Sequence, residues 1–214
     1  MTRRSLVLYG LLGTVAFAFG AGWRPSDIPV WMRYHQARRS FETKYTPSVD
    51  PFWNGAEILM VYVGQSHCGP SNALELPQMI EDIKTDLNRL AEASGARFRA
   101  VGLSLDLSAT EGFDHLAKFG KFDELRVGGG SFSDSAIEFL WQDFPGVVAT
   151  PQIVVIGRTR VSQENLQAPV EYSLESEKEL DRMIGLDGIG NWDPNGPTAR
   201  RIRRFLERTT GPDS

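Results

Sequence analysis

His67-Cys68-Gly69-Pro70-Ser71 is the stretch whose residue types could do chemistry. Cys68 is the only cysteine among 214 residues, so this turn holds the only thiol. A thiolate attacks disulfides and can itself be oxidised. The apolar run Ile58-Leu59-Met60-Val61-Tyr62-Val63 precedes the turn and a helical pattern comes after it, which predicts strand, tight turn and helix. At a helix N-terminus the unpaired amides and the macrodipole favour an anion, so a thiolate at position 68 is expected to be stabilised. A protonated His67 would lower the thiol's pKa further; the plainer reading of His67 is an exposed polar turn residue.

One cysteine excludes an intrachain disulfide and leaves no ligand cluster for zinc or iron–sulfur. His35, His67 and His115 are far apart in sequence, so neither a metal site nor a cofactor is expected. The net charge of −4 argues against a nucleic-acid partner. With 23% charged and 41% hydrophobic residues the composition is that of an ordinary globular chain, long enough for one main domain with a good core.

Residues 56–185 read as that domain. Glu57 to Gly64 form a near-continuously apolar strand, expected to be central in its sheet. A long helix is expected from about Gly69 to Ala93, with Leu76, Met79, Ile80, Ile83, Leu87 and Leu90 on its apolar face and a kink at Pro77. Arg97 to Leu105 is the next strand, completing a βαβ unit with parallel pairing. A helix over Glu111 to Phe122 should bury Phe113, Leu116, Ala117 and Phe119, and Leu125-Arg126-Val127 forms a short strand. Gly128-Gly129-Gly130 reads as a flexible turn rather than a phosphate loop. After it comes a helix from Ser133 to Phe144, with Ser135 and Glu138 as its capping box. Thr150-Pro151 opens an apolar strand, Ile153 to Gly157, whose antiparallel neighbour is Val170 to Ser173, and a last helix is expected over Ser176 to Ile184.

Cys-Gly-Pro after a strand, a helix with an internal proline, and Thr-Pro before an apolar strand together resemble the thioredoxin family. The resemblance covers residues 56–185, about three-fifths of the chain. It implies an α/β thioredoxin-like fold, a central mixed β-sheet flanked by helices. It also implies that Thr150 and Pro151 line a substrate groove, with Pro151 a cis proline facing the cysteine. The family reads Cys-Gly-Pro-Cys; here the second cysteine is Ser71. A buried carboxylate often found six residues before the first cysteine is Tyr62 here, and the family's usual tryptophan before the cysteine is His67. The long segment between the second strand and Pro151 is more similar to membrane-anchored, extracytoplasmic thioredoxin-like proteins, which carry inserted helices.

The flanks carry the other functional signals. Residues 1–23 include an uncharged run from Ser5 to Trp23, close to the ~30 Å core of a bilayer if helical, with Arg3, Arg4, Trp23 and Arg24 as flanking anchors. The expectation is a transmembrane anchor with the domain on the extracytoplasmic, periplasmic side. The alternative is a cleaved signal peptide ending near Ala16-Phe17-Ala18. Residues 24–55 are a linker with a short amphipathic helix, whose Trp31, Tyr34 and Phe41 could meet lipid or a partner. Residues 186–214 hold a loop, which begins at Gly185, and a basic helix over Thr198 to Arg208. Arg200, Arg201 and Arg204 surround an apolar side formed by Ala199, Ile202, Phe205 and Leu206. That helix could dock on an acidic partner or anionic headgroups, or simply pack on the domain.

A dithiol site attacks with one sulfur and resolves the mixed disulfide with the second. Ser71 cannot take the second role, because its hydroxyl is far too weakly acidic. The sequence favours a degenerate one-thiol module acting as an accessory subunit of a membrane protein complex. The alternative is a monothiol oxidoreductase that uses Cys68 with an external resolving thiol. A one-cysteine peroxidase is weaker still, since no matching motif surrounds Cys68.

Overall fold

The computed structural model of the chain describes residues 55–163 and 171–210. All but the first residue of β1 (Gly55–Gly64) are buried. A strand apolar on both faces must be covered on both, and β1 lies at the centre of a five-stranded sheet. On one side β2 (Arg97–Ser104) and β3 (Glu124–Arg126) continue it in parallel. On the other side β4 (Gln152–Gln163) pairs antiparallel with β1, and β5 (Glu171–Ile184) antiparallel with β4. The spatial order is β3-β2-β1-β4-β5.

The helices are α1 (Leu76–Glu92), α2 (Ala109–Leu116), α3 (Asp134–Ala136), α4 (Gly185–Gly190) and α5 (Pro197–Thr209), with a π-helical turn, Ile137–Gln142, continuing α3. Alternation along β1 divides the core into two layers. Ile58, Met60 and Tyr62 pack with Leu76, Ile80, Ile83 and Leu87 of α1, Ile202 and Leu206 of α5, and Phe119 and Phe122. Leu59, Val61 and Val63 pack on the opposite face with Ala136, Phe139, Leu140 and Phe144. Glu57, at the far end of β1 from Cys68, lies among Arg97, Arg99 and Arg160 at 3.9, 3.7 and 3.7 Å.

Several expectations are corrected. The helix after Cys68 is not continuous from Gly69. A single 3₁₀ turn, Pro70–Asn72, leads to an extended Ala73 (φ −61°, ψ 139°), and the α-helix begins at Leu76. Pro77 therefore lies in the first turn of α1 and does not kink it. It lacks the N–H for a bond four residues back, and its ring excludes that carbonyl, so the helix starts there. In α2 the buried residues are Gly112, His115 and Leu116; Phe113 is half-buried and Ala117 is exposed. The N-cap of α3 is Ser133, which accepts from the Ala136 amide at 3.2 Å, not Ser135. Glu138, expected to complete a capping box, instead pairs with Arg126.

The expected helix over Ser176 to Ile184 is the second half of β5. Leu180 and Met183 are three apart, a helical spacing. A register shift pairs Ile156 with Glu179 but Val155 with Asp181, so Leu180 is a bulge, and both residues reach the same core layer from a strand. Gly185 to Gly190, expected as loop, forms α4, which buries Ile189. The basic helix packs on the domain through Ala199, Ile202 and Leu206. Among the described residues no helix is long and apolar enough to cross a membrane. The expected anchor over residues 1–23, and Trp23, Trp31, Tyr34 and Phe41, lie outside the described residues.

Candidate functional site

β1 and β2 are parallel and in register to their ends, Gly64 opposite Ser104, so the segments that leave them emerge at one edge of the sheet. Ser66 and Cys68 come after one strand and Asp106 after the other. The carboxylate of Asp106 accepts from the Ser66 amide at 3.1 Å, from the Ser66 hydroxyl at 2.7 Å and from the Ser104 hydroxyl at 2.7 Å. Burial pushes the Asp106 carboxyl up, but these donors outweigh it and hold it below the usual range. Asn72 closes the turn from the other side, donating to the carbonyls of Ser66 at 2.7 Å and Cys68 at 2.8 Å. Lys118 donates to the Asn72 side-chain oxygen at 2.9 Å.

The resulting turn holds Cys68 half-buried against the strand that enters from the far side. The Thr150–Pro151 peptide bond is cis, and the Cys68 thiol donates to the Thr150 carbonyl at 3.2 Å. The structure thus brings together Cys68, Ser71, Thr150 and Pro151. His67 is exposed, its Nδ1 2.8 Å from the Ser66 hydroxyl and 3.7 Å from Asp106. Its contacts are thus with Ser66 and the carboxylate.

Burial pushes the Cys68 thiol up, while the side chains of Thr150 and Ser71 and the Ser71 amide bring it, on balance, below its ordinary value. The thiol's own bond to the Thr150 carbonyl works the other way, because a carbonyl oxygen stabilises only the protonated sulfur. The expected helix macrodipole contributes less than the sequence suggests: α1 starts eight residues on, and the nearest backbone donor is the Ser71 amide.

Ser71, three residues after Cys68 in the same turn, is fully buried. Behind it lie Tyr62, whose phenol burial pushes up, and His115, which burial and the charge of Lys118 lower to about 4 despite the opposing field of Asp106. Sequence reading did not pick out Asp106 or His115. Asp106 comes directly after a strand parallel to β1, at the carboxyl edge where α/β sheets place their sites. His115 carried no such signal; a single histidine on a helix face is ordinary core.

His67, Asp106 and Glu111 offer ligand atoms within 4.8 Å of one another, the one place among the described residues where a metal could be considered. The Asp106 oxygens already accept from Ser66 and Ser104, so Asp106 acts as the hydrogen-bonded support of the turn. Away from the thiol, Lys178, Arg201, Arg204 and Arg208 line a groove of about 390 Å³ with Glu179, Leu180 and Phe205. Arg201 there is tied to Asp181 at 3.0 Å and to the Leu180 carbonyl, Arg204 donates to the Arg200 carbonyl, and Arg200 donates to the Asn195 carbonyl.

A mixed sheet in the order β3-β2-β1-β4-β5, Cys-Gly-Pro after the central strand and a cis Thr-Pro opening the antiparallel neighbour make up a thioredoxin-like fold, with one thiol and a serine in its turn. Comparison with family models and with curated proteins finds no match. Among solved structures, the chain is similar over 56% of its length, and over 69% of the other chain, to a secreted Mycobacterium tuberculosis disulfide oxidoreductase described as homologous to E. coli DsbE. Identity is 14% and the TM-score 0.27, so the fold assignment rests on the topology and the site.

Proposed function

We propose that this chain is a membrane-tethered, extracytoplasmic thioredoxin-like protein whose Cys68 exchanges with a disulfide and depends on an external thiol to finish. The Cys68 thiolate attacks one sulfur of a disulfide; a Cys68–sulfur bond forms, the old sulfur–sulfur bond breaks, and the departing thiolate takes up a proton from water. An external thiolate then attacks the mixed disulfide and restores Cys68, so every electron pair is accounted for by exchange. The observation that carries this reading is the thiol itself: half-exposed, favoured towards ionisation, and held against the cis Thr150–Pro151 segment.

A second reading makes the domain an accessory subunit of a membrane protein complex, with the thiol idle. It is supported by Ser71 in the resolving position and by the outward basic groove of Lys178, Arg204 and Arg208. It ranks second because the basic helix also spends its apolar side on the domain's own core and Arg201 on Asp181.

Incubating the purified full-length chain with oxidised glutathione separates the two. The first reading expects one glutathione on Cys68 by mass spectrometry, removed by reduced glutathione and absent from Cys68→Ala. No adduct on a folded chain would overturn it and leave the accessory reading.

A further inference from the structure

Three polar side chains behind the thiol are buried with no hydrogen-bond partner among the described residues: the Ser71 hydroxyl, the Tyr62 phenol, and both ring nitrogens of His115. Tyr62 and Ser71 are fully buried and His115 is 1% exposed. Leaving such groups idle in a core costs about 1–3 kcal/mol each, so three together call for a use. They are also arranged in sequence. The Ser71 hydroxyl adjoins both the Cys68 sulfur and the Tyr62 phenol, close enough to favour the charged form of each. The Tyr62 phenol oxygen and His115 Nε2 both lie over Gly64: a Cβ there would stand 2.6 Å from the first and 2.7 Å from the second. Glycine at position 64 is what leaves room for both groups there.

We infer that Ser71, Tyr62 and His115 form a one-way chain of hydrogen-bond donors that closes on Cys68 when it ionises. His115 Nε2–H donates to the Tyr62 oxygen, Tyr62 O–H donates to the Ser71 oxygen, and Ser71 O–H donates to the thiolate. While Cys68 is protonated its S–H points at the Thr150 carbonyl and needs nothing from Ser71. When the proton leaves, the Thr150 carbonyl becomes a poor neighbour for the sulfur and the donor chain a good one. Hydrogen bonds aligned in one direction polarise each other, so the inner members strengthen the last. Ser71 thus serves the attacking thiolate rather than standing as a silent substitution, and Tyr62 and His115 are positioning residues that act through it.

The surrounding charges are compatible with these roles. A thiolate at position 68 makes Tyr62 still harder to ionise and keeps it a donor. Lys118 opposes protonation of His115, so the ring stays neutral with one N–H to give, although Asp106 pulls the other way. His67 contacts Ser66 and Asp106 and does not enter the chain.

This inference deepens the exchange reading, and its test needs no disulfide. With a single cysteine, the rate of alkylation by iodoacetamide against pH reports the Cys68 pKa in the full-length chain. Ser71→Ala is expected to raise that pKa by about one unit, a roughly tenfold loss of thiolate at neutral pH, and Tyr62→Phe by about half as much. The double variant should match Ser71→Ala, because Tyr62 acts only through Ser71. Equal pKa values in wild type and folded Tyr62→Phe, or additive shifts in the double variant, would overturn the chain. Should Tyr62→Phe not fold, ¹⁵N spectra of the wild type decide: the chain requires the Nε2–H tautomer of His115, shifting at the pH where Cys68 titrates, and an Nδ1–H tautomer contradicts it. A glutathione adduct that forms normally alongside a failed alkylation test would leave exchange standing without the donor chain.

Discussion

The Cys68 thiol lies 3.2 Å from the carbonyl oxygen of Thr150, across 82 residues of chain and beside a cis proline. That contact joins the turn after β1 to the start of β4, and in the proposed exchange a disulfide would approach along the Thr150–Pro151 segment. Asp106 and Asn72 hold the turn in place around it, and Ser71 lies buried three residues after the thiol.

Asp106 is expected to be the main support of the turn. Asp106→Ala leaves the Ser66 amide and the Ser104 hydroxyl without their acceptor, and should cost about 2–3 kcal/mol, since bonds to a charged group are among the stronger ones. Urea unfolding at neutral pH measures this. An unchanged midpoint would mean the Ser66 turn holds itself.

Stability should fall on acidification in two separate windows. The folded pKa of His115, about 4, lies below its unfolded value of about 6.5, so the unfolded chain binds more protons between them. Stability from His115 is therefore complete above about pH 6.5 and is lost as pH falls towards 4, by up to ~3 kcal/mol. Asp106 is also held below its unfolded value, so its contribution is present above about pH 4 and is lost only below that. Urea midpoints at several pH values should decline between pH 6.5 and 4.5 in wild type, and distinctly less in His115→Gln. Parallel profiles would remove His115 as the cause.

Much of the fold was legible because the strands are short-range signals: the apolar runs of β1 and β4, and the βαβ order implied by their spacing. Cys68 and Thr150–Pro151 were legible for the same reason, each being a local motif. The misses have local physical causes. The bulge at Leu180 disguised a strand as a helix by changing its period from two to three. Pro77 marked where α1 starts, but in sequence an N-terminal proline and a kinking one look alike until the turn before it is seen. Asp106 and His115 were missed because their importance depends on what faces them, Ser66 in one case and Tyr62 in the other, 40 and 53 residues away in the chain.

Ser71→Cys should restore a resolving sulfur. The side chain is buried beside Cys68, so a thiol there would attack the mixed disulfide intramolecularly and form a 68–71 disulfide. The glutathione adduct on Cys68 should then decay at least about tenfold faster without added thiol, given the high effective concentration of a tethered nucleophile. Mass spectrometry over time reads both species. An adduct as long-lived as in wild type would show that position 71 cannot reach the sulfur.

The most direct measurement counts thiols released when the reduced, purified full-length chain meets an excess of a disulfide-linked peptide in the absence of any other thiol. The account predicts one thiol released per chain, with Cys68 retained as a mixed disulfide that persists until glutathione is added. No release from a folded chain, or an adduct that clears with no external thiol present, would contradict it.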